Sequence, residues 1–206
     1  LCAPARARVA PPSSREEIAV KTLRSVIVAA ALLATGAATA EAQTMIEVTG
    51  RIGYTSADLN DWLGRGVFDP NPLEYGASGL VFFGRRGAGG LMIGGELGYG
   101  RLISYSFVRE GVTSQEAVNA LRLLVLTRFW FNQGAWFGEA GAGVVRLSDS
   151  GGAVNDPILS AGVGTLFDLS DQWEIVTKVR GSVIFDSGAP VLTSGFEAGL
   201  SYSLDR

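Results

Sequence analysis

Glu96, Glu139 and Glu197 alternate with apolar neighbours in this chain, and so do Arg122, Lys178 and Arg180. Carboxylates and cations in that pattern admit three chemistries. They could supply a carboxylate pair for glycosidase-type acid–base work. They could line a proton or ion path. They could also form a buried salt-bridge network, since a charge out of water must be paired or hydrogen-bonded. The third reading needs the least. No pocket opening is implied, and the six residues read as a structural network that fills an interior.

The rest of the inventory removes most catalytic options. His is absent from all 206 residues and the single Cys is Cys2. Imidazole bases, Ser-His-Asp and Cys-His nucleophiles, His-ligated zinc, CxxC motifs and an internal disulfide are all excluded. Ser104 and Ser106 have no base to activate them and read as interior-facing strand serines. Asp58, Asp61, Asp69 and Glu74 gather in one segment, but their spacing matches no EF-hand loop and they read as a solvated acidic loop. Arg85-Arg86-Gly87-Ala88-Gly89-Gly90 lacks the Lys-Ser/Thr ending of a phosphate-binding loop. Lys+Arg 17 against Asp+Glu 20 gives a net charge of -3, with no basic stripe for nucleic acid. No catalytic residue, cofactor or metal is therefore expected.

The elements that must position the six charges follow a period of two. Ile46, Val48, Ile52 and Tyr54 share one face, and Glu47, Thr49 and Arg51 the other. The same alternation recurs over 91–107, 173–185 and 196–204, and less cleanly over 77–85, 118–131, 135–147 and 158–169. Eight strands result. Short Gly, Asn, Asp and Ser turns at 86–90, 132–134 and 170–172 alternate with longer polar segments at 56–76, 108–117, 148–157 and 186–191. That rhythm predicts an all-β, eight-stranded antiparallel up-and-down transmembrane β-barrel.

Lys21 and Arg24, then the apolar run Val26–Leu33, then Ala40-Glu41-Ala42 read as a secretory signal peptide cut after Ala42. The expected organisation is a non-translated or disordered lead at 1–19, a signal peptide at 20–42 and the barrel at 43–206. Which face is apolar decides the barrel's surroundings. A solvated face normally carries more charge than this glycine-rich one, whereas a narrow eight-strand interior suits small residues with a few charges between them. Trp130, Phe131, Trp136, Trp173 and Tyr202 near the short turns, and Tyr54, Tyr99, Tyr105 and Phe185 toward the other end, read as two interfacial girdles.

Glu197-Ala198-Gly199-Leu200-Ser201-Tyr202-Ser203-Leu204, following the signal peptide and the strand rhythm, resembles the last strand of small eight-stranded bacterial outer-membrane β-barrels. That family holds the outer-membrane protein A-like transmembrane domain and its short relatives. The final Leu204-Asp205-Arg206 departs from the Phe that often ends such chains. The resemblance implies a monomer in the bacterial outer membrane with both termini periplasmic. It implies contact with the lipid bilayer, with lipopolysaccharide and, through the last strand, with the outer-membrane assembly machinery. Enzymes of that class use a catalytic His, so the resemblance carries no activity here. The function expected is a structural, envelope-integrity or surface-contact role, with 56–76 the segment to examine for an external ligand. Two alternatives stand beside it: a small ion-conducting pore using the interior charges, and a soluble lipocalin-like barrel binding an apolar ligand.

Overall fold

Alternating side chains leave every second residue on the same side of a strand, and this rule organises the whole molecule. The computed structural model describes residues 43–56, 67–87, 89–109, 112–131, 135–186 and 190–204. The segments expected as lead and signal peptide lie outside these. The strands are β1 (Gln43–Ser56), β2 (Val67–Asn71), β3 (Leu73–Gly84), β4 (Leu91–Arg109), β5 (Val112–Phe131), β6 (Trp136–Asp149), β7 (Gly152–Asp168), β8 (Trp173–Ile184) and β9 (Val191–Ser203).

All pairings are antiparallel and join neighbours around a ring. The order β4-β3-β1-β9-β8-β7-β6-β5 is closed by β5 against β4. Closure pairs backbone groups that an open edge would leave unsatisfied in hydrocarbon. Met45 lies opposite Ser203, so both ends of the described chain sit at one end of the barrel, where β3 is followed by β4, β5 by β6 and β7 by β8. This end is called the turn end, and the opposite one the far end.

The strand count is nine, not eight. The extra strand, β2, comes from the segment expected to be a loop. Pro72 cannot donate a ladder hydrogen bond, so it separates β2 from β3. Both pieces pair with β4, β3 through Tyr75↔Arg101 to Gly84↔Met92 and β2 through Asn71↔Ser104 to Val67↔Phe107. Eight strands close the ring, and β2 extends one of them beyond it. The expected loops at 108–117 and 148–157 are also mostly strand. β4 and β5 stay paired to Arg109↔Val112, and β6 and β7 to Asp149↔Gly152. Polar composition had concealed ladders that simply continue past the apolar zone.

The wall is apolar outside. Leu97, Val179 and Leu200 are 59%, 56% and 47% exposed, whereas Glu47, Lys178 and Glu197 on the opposite faces are at most 2% exposed. A lipocalin-like barrel would show the reverse. Outward aromatics form two belts. Phe83, Phe129, Phe131, Trp136, Phe167 and Trp173 ring the turn end, and Tyr54, Tyr75, Tyr99 and Phe185 ring the far side of the wall. Two expected girdle members are elsewhere. Trp130 is fully buried inside, packed edge-on against Phe137 at 5.3 Å. Tyr105 is buried as well, because the register of β4 shifts between Arg101 and Ile103 and exchanges the two faces beyond that point.

Inside, glycine lets strands approach what a side chain would strike. A Cβ on Gly199 would lie 1.9 Å from the carbonyl oxygen of Val48. Apolar side chains fill both ends of the interior. Met45, Phe82, Met92, Trp130, Phe137 and Val176 occupy the turn end, and Leu102, Val118, Leu147, Ile158, Ile184 and Val191 the far end.

Candidate functional site

Between those two apolar layers lies a continuous ionic network. β1 supplies Glu47 and Arg51, β3 Glu74, β4 Glu96, β5 Arg122 and Arg128, β6 Glu139, β8 Lys178 and Arg180, and β9 Glu197. The five carboxylates and five cations balance. Each sits at an inward position of its strand, so the alternation alone aims it at the axis.

The network can be followed from the far end. Glu74 accepts from Arg122 and from Arg51, whose Nη2 is 3.2 Å from Oε2. Arg51 Nη1 donates to Glu197 at 3.0 Å and Nη2 to Thr193 at 3.1 Å. Glu197 also meets Lys178 at 3.3 Å and Arg180 at 3.5 Å. Arg180 pairs with Glu96 and Glu139, and Lys178 lies 3.5 Å from Glu139. Arg128 closes the turn end. It donates to Glu139 at 2.7 Å and forks onto Glu47, with Nη2 2.9 Å from Oε2. Its guanidinium carbon lies 4.0 Å from the Phe82 ring centre and 3.9 Å from that of Phe137. A separate pair, Arg86 to Glu174 at 2.5 Å, seals the turn end, with Arg86 over Trp130 at 5.1 Å.

All six residues expected from the sequence lie in this network, and five of them touch one another directly. Arg122 touches none of the other five and pairs with Glu74 instead. Sequence reasoning missed Glu47, Arg51, Glu74 and Arg128. Glu47 and Arg51 stood on the polar face of the first alternation, and Arg128 shares the parity of Arg122, so one rule applied throughout would have found these three. Glu74 was read as part of the acidic loop. It is instead a buried β3 residue, next to the break at Pro72 that disguised the strand. Asp58 and Asp61 lie outside the described residues, as does the side chain of Asp69.

One pocket in this layer, lined by Arg51, Glu74, Glu96, Arg122 and Glu197 among others, has a volume of about 10 Å³. That is about the volume of one water probe. Among the described residues no group of three or more His, Cys, Asp or Glu could hold a metal ion. Past the irregularity at Arg101/Ile103 the parity of β4 reverses, so Ser104 and Ser106 pair with Ala117 and Gln115 and stand on the opposite face from Tyr105, with Ser106 still buried at 5% exposure.

One titrating group lies at the far mouth, beyond the membrane-spanning stretch. Asp156 on β7 has a buried Oδ2 with no hydrogen-bond partner, and burial, then Asp186, raise its carboxyl to about 6. The folded state therefore holds this proton after the unfolded chain has released it. The group's contribution to stability is present below about pH 4 and is lost as pH rises toward and through 6. Asp156→Asn is expected to raise the unfolding midpoint in detergent more at pH 8 than at pH 4. Equal gains at both pH values would show that Asp156 titrates as an ordinary surface carboxylate.

No family's sequence profile matches the chain, and no curated protein sequence does. Solved structures do resemble it. Ail, the attachment invasion locus protein of Yersinia pestis, in complex with the heparin analogue sucrose octasulfate, superposes with a TM-score of 0.50 at 15% identity, over 80% of this chain and 100% of that one. Neisserial surface protein A gives 0.47 at 12% identity, over 77% and 96%. The outer membrane protein OprG from Pseudomonas aeruginosa gives 0.46 at 8% identity, over 80% and 96%. At such identities the likeness to Ail establishes the fold: this chain is a small antiparallel transmembrane-type β-barrel.

Proposed function

We propose that this protein is a closed, non-enzymatic outer-membrane barrel that acts as a rigid anchor and presents its far end outside the cell. The filled interior carries this reading. An ionic layer neutral in itself lies between two apolar layers, and the pocket beside Arg51, Glu74 and Arg122 within it has a volume of only about 10 Å³. An eight-strand interior is only wide enough for its own side chains, and here they fill it. The turn end, with both termini, then faces the periplasm, as short turns do in such barrels. The long β4–β5 and β6–β7 ribbons rise from the outer leaflet and offer the surface for contact. Assembly proceeds through β9, the last strand, and the working form is a monomer.

Single-channel recording of the refolded protein in a planar bilayer tests the closed state. Silence, or rare small openings, is expected. Steady conductance altered by Glu139→Gln or Arg122→Gln would make the network an ion path and overturn the anchor reading.

A further inference from the structure

Arg86 reaches into the barrel from the turn between β3 and β4, not from a strand. It meets Glu174 on β8 at 2.5 Å, with β1 and β9 lying between the two. Strands are about 4.8 Å apart, so the contact bridges roughly 14 Å of wall. The guanidinium also covers one face of Trp130, 5.1 Å from the ring centre. The Arg86 side chain keeps 16% of its surface in water, whereas that of Glu174 keeps none. Arg86 is therefore the outer cover of the turn end, wet on one side and dry on the other. The backbone that carries it is pinned. Arg85 N donates to Leu91 O at 2.9 Å, Gly90 N to Gly87 O at 2.7 Å, and Gly89 N to Trp130 O at 3.1 Å. What is left to move is the long Arg86 side chain itself.

A second observation falls on the same place. Trp130 Nε1 and Ser201 Oγ are buried without a hydrogen-bond partner in the protein, and neither residue has any exposed surface. Both flank the same ion pair. Trp130 lies under the Arg86 guanidinium, and Ser201 stands in register beside Glu174 on β8 and Glu47 on β1. An indole N–H can only donate, and a hydroxyl both donates and accepts. Buried groups of this kind are almost always paired with protein or with water, because an unmade bond forfeits their hydration for nothing.

We propose that Arg86 is a movable strap over a hydration site at the turn end: closed, it seals off Trp130 Nε1 and Ser201 Oγ, and open, it admits water that hydrates them. The closed state gains the Arg86–Glu174 pair and the contact with the Trp130 ring, and strands two polar groups. The open state gives up the pair and satisfies both groups. Arg86 already touches water, so its guanidinium moves out without a new desolvation cost. Glu174 is hydrated by the same water that enters. The two states are thereby brought close in free energy. Arg128, one layer further in, is the contrast. It has no exposed surface and lies between the Phe82 and Phe137 rings, so it has nowhere to swing. Water admitted at the turn end stops at that ionic layer, and the barrel stays closed to conduction.

Hydrogen exchange reads the strap directly. The full chain is refolded in uncharged detergent micelles and transferred to deuterium oxide, and the indole N–H of Trp130 is followed by NMR, its signal assigned by its loss in Trp130→Phe. The backbone amides of Leu124 and Leu126 on β5 serve as internal reference, since they exchange only when the ladder opens. The Trp130 indole is expected to exchange at least about tenfold faster than those amides, as a local opening does relative to a global one. Arg86→Ala and Glu174→Gln cut the strap at its two ends. Each should speed the indole about tenfold further and leave the Leu124 and Leu126 amides unchanged. An indole no faster than the reference amides, or one indifferent to both variants, would overturn the proposal and make Arg86 a static plug. A rise shared equally by the reference amides would overturn it too, because the variants would then be loosening the whole barrel.

Discussion

Arg128→Ala is expected to destabilise the barrel by about 3–5 kcal/mol, the usual cost of removing one partner of a fully buried ion pair. Arg128 has no exposed surface and holds two carboxylates, Glu47 and Glu139. The two do not depend on it equally. Glu139 retains Arg180 and Lys178 when Arg128 is gone, whereas Glu47 retains only Lys178 at 3.9 Å. The stranded charge is therefore that of Glu47. Adding Glu47→Gln to Arg128→Ala should recover more stability than adding Glu139→Gln. Arg128→Lys should recover part of the loss, because a lysine keeps the charge but cannot fork between two carboxylates or stack flat between Phe82 and Phe137. Urea unfolding in lipid vesicles measures all four. A change under about 1 kcal/mol for Arg128→Ala would mean that water reaches this layer and screens it.

How much of this was legible in the sequence depends on whether parity held. Where a strand is regular, as in β8, the alternation from Trp173 to Phe185 places Lys178 and Arg180 inside and Val179 outside, and the structure agrees. Parity failed at one register shift. Between Arg101 and Ile103 the ladder slips, so Ile103 and Tyr105 take the inward positions that the alternation assigned to Ser104 and Ser106. Nothing in the run Gly-Arg-Leu-Ile-Ser announces that slip, since a shift depends on the partner strand. Trp130 was misplaced for another reason. Its inward parity was visible beside Arg128, but a tryptophan near a turn invites an interfacial assignment. The pairing of charges was beyond reach altogether. Arg122 and Glu74 stand on β5 and β3, which flank β4 without pairing with each other, and the sequence does not state the stagger that brings them level. The strand count erred because Pro72 hid β2 and the first residues of β3 inside the expected loop at 56–76.

Val179→Arg is expected to cost about 2–4 kcal/mol, the penalty for a cation on the lipid face at the bilayer midplane. Val179 is 56% exposed on the outer wall, six residues from Trp173 in one aromatic belt and six from Phe185 in the other. Its neighbour Lys178 carries the same charge type one residue away, yet lies 2% exposed among three carboxylates. A shift of one position thus separates a satisfied cation from one facing hydrocarbon. Depth supplies the internal control. Val183→Arg lies on the same face near the far belt, where the guanidinium can reach headgroups, and should cost about 0–1 kcal/mol. Urea unfolding of both variants in phosphatidylcholine vesicles compares them. If the outer wall faced water instead, an arginine at position 179 would be as harmless as one at 183, and equal small effects would defeat the transmembrane placement. A loss that grows toward the middle of the wall requires a hydrocarbon slab around the barrel, because no aqueous surroundings penalise charge according to depth.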